Sequence, residues 1–210
     1  MRLSVEGLEI IGIGGVGNDL RGQRRRWPRE IARVLVEEER ASLLVAEFKK
    51  KTRQRYLDRS AERGIAALHG CLEATELAQV EIDAAPEKVG LLIATASGPE
   101  CTRTAYLTSY LSRGKTSVSA TFFSNCGYNI AGAMMARSCN IRGPVLTLAL
   151  DRTLWQPLVE TAQLLFDSKR MELAYLARAD DDNGIVLCVR PTNKARSCSE
   201  SIDGIVKAFL

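Results

Sequence analysis

The sequence predicts an α/β protein built on a five-stranded, mostly parallel sheet whose last strand is antiparallel, with helices on both faces. Three observations carry the α/β expectation. Apolar runs of strand length alternate with longer segments whose apolar residues recur every three or four positions. Most connections are long enough to hold a helix, as parallel neighbours require. The last two runs, 173–180 and 184–191, are joined only by the tight turn "DDDNG" and must therefore run antiparallel.

The first strand lies in "LEIIGIGGVG" (8–17), which also contains G-x-G-x-x-G at Gly12, Gly14 and Gly17. A dinucleotide fingerprint needs a helix opening at that turn and an acidic residue ending a second strand about 20 residues on. "NDLRGQRRRWP" follows instead, and Glu37, Glu38 and Glu39 fall in a helical pattern, so no cofactor is expected. "PREIARVLVEEERASLL" (28–44) reads as a helix with Pro28 in its first turn. In the longer helix 56–77, Leu57, Ala61, Ile65, Leu68 and Leu72 make one apolar stripe. His69 sits within it without an obvious partner and reads as structural.

"KVGLLIATASGP" (88–99) is the second strand. The "GKT" at 114–116 is not a phosphate loop, because Ser109 stands where that motif needs glycine. "NCGYNIAGAMMARSCN" (125–140) is a helix rich in small residues, suited to close packing. The turn Arg142-Gly143-Pro144 feeds a third strand, Val145 to Leu150, which runs through Asp151 and Arg152 into a helix over 153–168. Strands 173–180 and 184–191 complete the sheet, and "GIVKAFL" at the end reads as a last short strand.

The bulk numbers fit one soluble domain, 1–210. Hydrophobic residues make up 46% and charged residues 26%, which excludes a disordered chain. A formal net charge of +4 is small for 210 residues and argues against a dedicated nucleic-acid binder. The six cysteines form no C-x-x-C pair and mostly sit in apolar runs, as free buried thiols do in a reducing compartment. With His69 the only histidine, no zinc or other metal site is expected. Glu6 and Glu9 interrupt the N-terminal apolar stretch, so it is no signal peptide. No run approaches the ~20 apolar residues that span a bilayer. The expected location is cytoplasmic, with no membrane partner.

Taken in order, these segments resemble the N-terminal half of a β-ketoacyl-ACP synthase, in the thiolase superfamily. "LEIIGIGGVGNDL" resembles the family's opening strand and turn, and "RYLDRSAERGIAALHGCLEATEL" its first long helix. "KVGLLIATASGP" resembles the strand that follows. "NIAGAMMARSCNIRGPVLTLAL" resembles the helix, the R-G-P turn and the strand leading to the nucleophilic cysteine. Counted from that turn without gaps, the cysteine position is occupied by Arg152, next to Asp151. The family's C-terminal half, which supplies the two catalytic histidines, has no counterpart.

The resemblance therefore implies a chain without catalytic residues for Claisen condensation. It points to a non-catalytic, chain-length-factor-like subunit that pairs as a heterodimer with a full-length ketosynthase. Such a pair serves fatty-acid or polyketide assembly, polyene assembly included. In such a subunit the strand residues Val145, Leu146, Leu148 and Leu150 would extend the partner's sheet. Asn125, Tyr128, Asn129, Met134 and Met135 would line the shared acyl channel, the methionines being flexible and apolar. For Met134 and Met135, ordinary core packing is the competing reading.

Two features add to this from the residues alone. In the helix after Asp151-Arg152, Trp155, Leu158, Val159, Ala162, Leu165 and Phe166 form one stripe. Gln156, Glu160, Gln163 and Asp167 form another. A second half packed dry on that polar stripe would cost roughly 1–3 kcal/mol for each unpaired group. The face is expected to be wet, as in a chain that ends naturally here, and Thr153 with Gln156 is expected to form a capping box. The basic segments "RGQRRRWPR" (21–29) and "KKKTRQR" (49–55) suit an acidic acyl carrier protein, through Arg24, Arg25, Arg26, Lys49 and Lys50. The competing reading is plain solvated surface; RNA is disfavoured because few aromatics interleave. Two alternatives to the leading reading stay open: a malonyl decarboxylase using Asp151 and Arg152, and a homodimeric acyl-binding scaffold without catalysis.

Overall fold

Apolar strand runs that cannot hide their edges alone must pair, and here they pair into one sheet. A computed structural model describes residues 3–5, 8–17, 31–75, 78–114, 116, 118, 120–149 and 155–192. Its strands are β1 (Leu3–Val5), β2 (Leu8–Val16), β3 (Ala32–Val36), β4 (Val89–Thr95), β5 (Val145–Ala149), β6 (Leu173–Ala179) and β7 (Gly184–Pro191). The order is β1-β2-β7-β6-β4-β5, and β3 also lies on β2. β1 pairs with the first part of β2 from Leu8 to Ile10, and β3 with the rest from Gly12 to Val16. Pairs β2–β3, β4–β5 and β4–β6 are parallel, while β1–β2, β2–β7 and β6–β7 are antiparallel.

The α/β class and the antiparallel closing strand are as expected. Among the described residues the strands number seven and not five, β1 and β3 being the additions. β3 corrects the helix expected over 28–44. "ARVLV" pairs in register with the glycine-rich half of β2, and the helix α1 (Glu38–Thr52) starts only after it. A short apolar run satisfies both periodicities, and a neighbouring strand with free backbone groups decides between them.

α2 (Arg59–Ala74) forms where the stripe predicts it. Asp58 caps it, its carboxylate accepting from Ser60 N–H at 2.9 Å. Its face of Ala61, Ile65 and Leu68 is fully buried on the sheet. Glycine sets how closely it lies. A Cβ on Gly14 would collide with the backbone of Ala67 and Cys71, so strand and helix meet backbone to backbone. The remaining helices are α3 (Ala78–Ala84), α4 (Glu100–Arg113), α5 (Ala120–Ser124), α6 (Ile130–Ser138) and α7 (Gln156–Asp167). α1, α2 and α6 contribute to one apolar layer, with Phe48, Leu68 and Met135 in it. α7 covers the opposite sheet face through Trp155, Leu158, Val159, Ala162 and Phe166.

The outer side of α7 behaves as its sequence requires. Glu160 and Asp167 are exposed, Gln156 and Gln163 half-buried, and Gln156 Nε2 donates to Glu160 Oε1 at 3.2 Å. At the start of α7 Trp155 holds the N-cap position without a side-chain cap, and the helix opens at Gln156 and Pro157. No described helix is long and apolar enough to cross a membrane. Thr153 and the C-terminal "GIVKAFL" lie outside the described residues.

Candidate functional site

In an α/β sheet, sites form beyond the carboxyl ends of parallel strands. Here β4 and β5 run side by side to such an end, with Thr95 opposite Ala149. The junction after β4 is built tightly. Thr95 Oγ1 accepts the N–H of Gly98 at 2.9 Å. Gly98 has φ +61°, and a Cβ there would lie 2.8 Å from the Tyr128 ring. Glycine is thus needed both for the turn and for the ring resting on it. The Arg103 guanidinium lies 5.5 Å from the centre of the same ring and donates to Tyr128 Oη at 3.3 Å.

Behind this junction runs a chain of hydroxyls and one carboxylate, buried at Asp58, Ser60 and Thr102 and half-buried at Tyr56. Thr102 Oγ1 donates to Asp58 Oδ2 at 2.5 Å, and Tyr56 Oη lies 2.7 Å from the same Thr102 oxygen. Asp58 Oδ1 accepts both the N–H and the hydroxyl of Ser60. With Thr102's proton committed to the carboxylate, its lone pair accepts from Tyr56. Burial pushes the Tyr56 phenol up, which keeps it a neutral donor. The Tyr56 ring lies 4.7 Å from that of Phe122 of α5, tilted by 40°.

None of the thiols with a resolved shift is an activated nucleophile. Cys101, exposed in the first turn of α4, donates to Asp181 Oδ2 at 2.8 Å and is pushed up to about 11, chiefly by that bond. Burial raises Cys71 well above its ordinary value, raises Cys126, and pushes Cys139 up to about 11. His69, half-buried, has Cys139 Sγ at 3.9 Å from its Nε2 and is held below its usual value by burial. That thiol is the partner its sequence context did not show. Among the described residues, no group of three or more His, Cys, Asp or Glu could hold a metal ion. The glycines of "GIGGVG" serve packing: Gly12 and Gly14 sit within β2, and Gly17, at φ +146°, lies against Asn183.

Among the described residues, β5 is the last strand on this side of the sheet. Its neighbour β4 is buried along its length, whereas every β5 residue is half-buried or exposed. Val145 and Thr147 face Gly132 of α6, while Leu148 packs on the opposite layer and Leu146 is 39% exposed. Uncovered apolar surface also lies on α4, at Leu107, Tyr110 and Leu111, on α5 at Phe123, and at Tyr128. Leu111 reaches 81% exposure. Sequence reasoning missed this, although "YLTSYL" places its apolar residues at helical spacing.

The residues expected at an acyl channel are only partly brought together. Asn125, Tyr128 and Asn129 stand in the turns before α6, so the helix expected over 125–140 spans only Ile130–Ser138. Asn125 is buried and Asn129 exposed. Met134 is half-buried against the core, whereas Met135 is fully buried against Gly64 of α2. Of the basic residues, Lys50 is exposed in the last turn of α1. Lys49 is not free, since it pairs with Glu62 at 2.6 Å across an open groove of about 370 Å³ between α1 and α2. Leu150, Asp151, Arg152, Arg24, Arg25 and Arg26 lie outside the described residues.

No protein-family model matches the chain, and no curated protein matches it. Solved structures do. A type II polyketide acyl-carrier protein in complex with its hexaketide-bound ketosynthase matches with a TM-score of 0.65 at 10% identity, over 88% of this chain and 62% of that one. The ishigamide ketosynthase/chain length factor matches at 0.66 and 14%, over 91% and 64%. A ketosynthase in complex with its chain length factor from Xenorhabdus doucetiae matches at 0.59 and 10%, over 89% and 79%. The chain thus has the thiolase-like fold of ketosynthases and chain length factors. It spans less than two thirds of the length of the first two.

Proposed function

We propose that this chain is a non-catalytic, chain-length-factor-type subunit of a ketosynthase, acting in fatty-acid or polyketide assembly. The observation that supports the reading is the uncovered apolar surface on α4 and α5, together with a half-exposed β5 at the end of the described sheet, surfaces that water disfavours and a partner chain would cover. The partner is an active ketosynthase. Val145, Leu146, Leu148 and Leu150 extend its sheet, and Asn125, Tyr128, Asn129 and Met134 border the acyl channel between the two chains. Met135, locked against Gly64, supports that wall from within. The absence of condensing chemistry follows from Arg152 at the position of the family's cysteine and from the raised thiols elsewhere. Lys50 with Arg24, Arg25 and Arg26 meets the acidic carrier protein, while Lys49 serves the fold through Glu62.

The test is light scattering after size exclusion, on the chain alone and mixed with the ketosynthase encoded nearest to it. A one-to-one complex is expected, with no condensation by this chain alone. Leu111→Asp is expected to abolish the complex and leave the melting temperature unchanged, since Leu111 is solvent-facing. A chain that stays monomeric beside that ketosynthase overturns the reading. A stable homodimer that ignores it would favour the scaffold instead.

A further inference from the structure

α4 is fourteen residues long, yet Thr102 is its only buried residue. Beyond its first turn it meets chiefly α5, where Tyr106 lies 5.7 Å from Phe123. A helix held by so little apolar contact depends on its polar ties. The buried tie is the bond from Thr102 to Asp58, whose carboxylate is itself fully buried and fixed at the N-terminus of α2. Tyr56 closes the arrangement. Its hydroxyl joins Thr102 on α4 while its ring packs at a tilt against Phe122 of α5, so one side chain holds both helices.

We propose that the chain Tyr56–Thr102–Asp58 is a latch that fastens the α4–α5 pair to an otherwise independent core, and thereby sets the position of the exposed apolar surface. Tyr56 and Thr102 are positioning residues. The core itself rests on the sheet and on α1, α2, α6 and α7, and includes no residue of α4 or α5, so it loses none of its apolar contacts when the latch opens. That α4 and α5 face a partner rests on the reading above; the latch does not.

Opening a bond to a buried carboxylate exposes local amides without global unfolding, which hydrogen exchange reads directly. The experiment is hydrogen–deuterium exchange with mass spectrometry on the full chain. Thr102→Val is expected to speed exchange over residues 100–124 by at least about tenfold. Peptides from β4, β6 and residues 61–72 should be unchanged. Thr102→Ser restores the hydroxyl and should return wild-type rates. Tyr56→Phe keeps the ring contact and should give a smaller rise over the same residues. Unchanged exchange over 100–124 in Thr102→Val overturns the latch, as does a rise shared equally by β4 and 61–72. If that variant fails to fold, Tyr56→Phe decides: no rise in its 100–124 peptides also overturns the latch.

Discussion

Replacing Gly14 by alanine tests how the glycine-rich strand is used. The new Cβ would meet Ala67 O and Cys71 N at separations no real Cβ shows, and Gly70 C at 2.7 Å, where ordinary contact begins at 3.4 Å. All three are backbone atoms of α2, so no rotamer change relieves them. The helix must lift by ~1 Å from β2, loosening the layer in which Ile65 and Leu68 are fully buried. Overpacking costs about 1–3 kcal/mol when side chains can shift, and a backbone clash sits at the top of that range or above. About 3 kcal/mol in a domain of this size lowers the melting temperature by roughly 6–12 °C. Gly127→Ala is the control. Its Cβ meets only the swinging Asn129 Oδ1 at 2.9 Å and should cost within about 0.5 kcal/mol. The assay is thermal unfolding by calorimetry on both variants. A Gly14→Ala protein melting alongside wild type would refute the close-approach argument and reopen a ligand-binding role for "GIGGVG".

Two further outcomes follow from titrating groups. Burial holds His69 below its ordinary value of 6.5, so as pH falls through that value the unfolded chain takes up a proton the folded one resists. Stability should be full above pH 6.5 and decline below it until the folded imidazole also titrates. Urea midpoints at pH 7.5 and 5.5 should separate for wild type and lie closer together for His69→Asn; an equal gap in both would show that other groups are responsible. At Cys101, the carboxylate of Asp181 keeps the thiol protonated near 11. Asp181→Asn should therefore speed its alkylation by iodoacetamide at pH 8 on the order of tenfold, followed site by site by mass spectrometry. An unchanged rate at Cys101 would remove Asp181 as the cause.

The sequence by itself determined the layered α/β class and the positions of its strongly periodic elements. The stripe Ala61-Ile65-Leu68-Leu72 calls for a helix with one buried face, and "KVGLLIAT", short, largely apolar and rich in β-branched residues, reads as a buried strand. The tight turn at 180–184 fixed the antiparallel closure, because so short a loop cannot cross over a sheet. The two stripes of α7 likewise dictated which side meets the core. What only the tertiary structure decided is wherever local signals tie or distant groups meet. "ARVLV" becomes a strand because β2 offers it backbone partners, and Met135 becomes core because Gly64 on another helix leaves it room. Asp58, Thr102 and Tyr56 are unremarkable letters until two helices and a loop converge on them. Periodicity reports each residue's own element, whereas a hydrogen bond across 44 positions exists only once the chain has closed on itself.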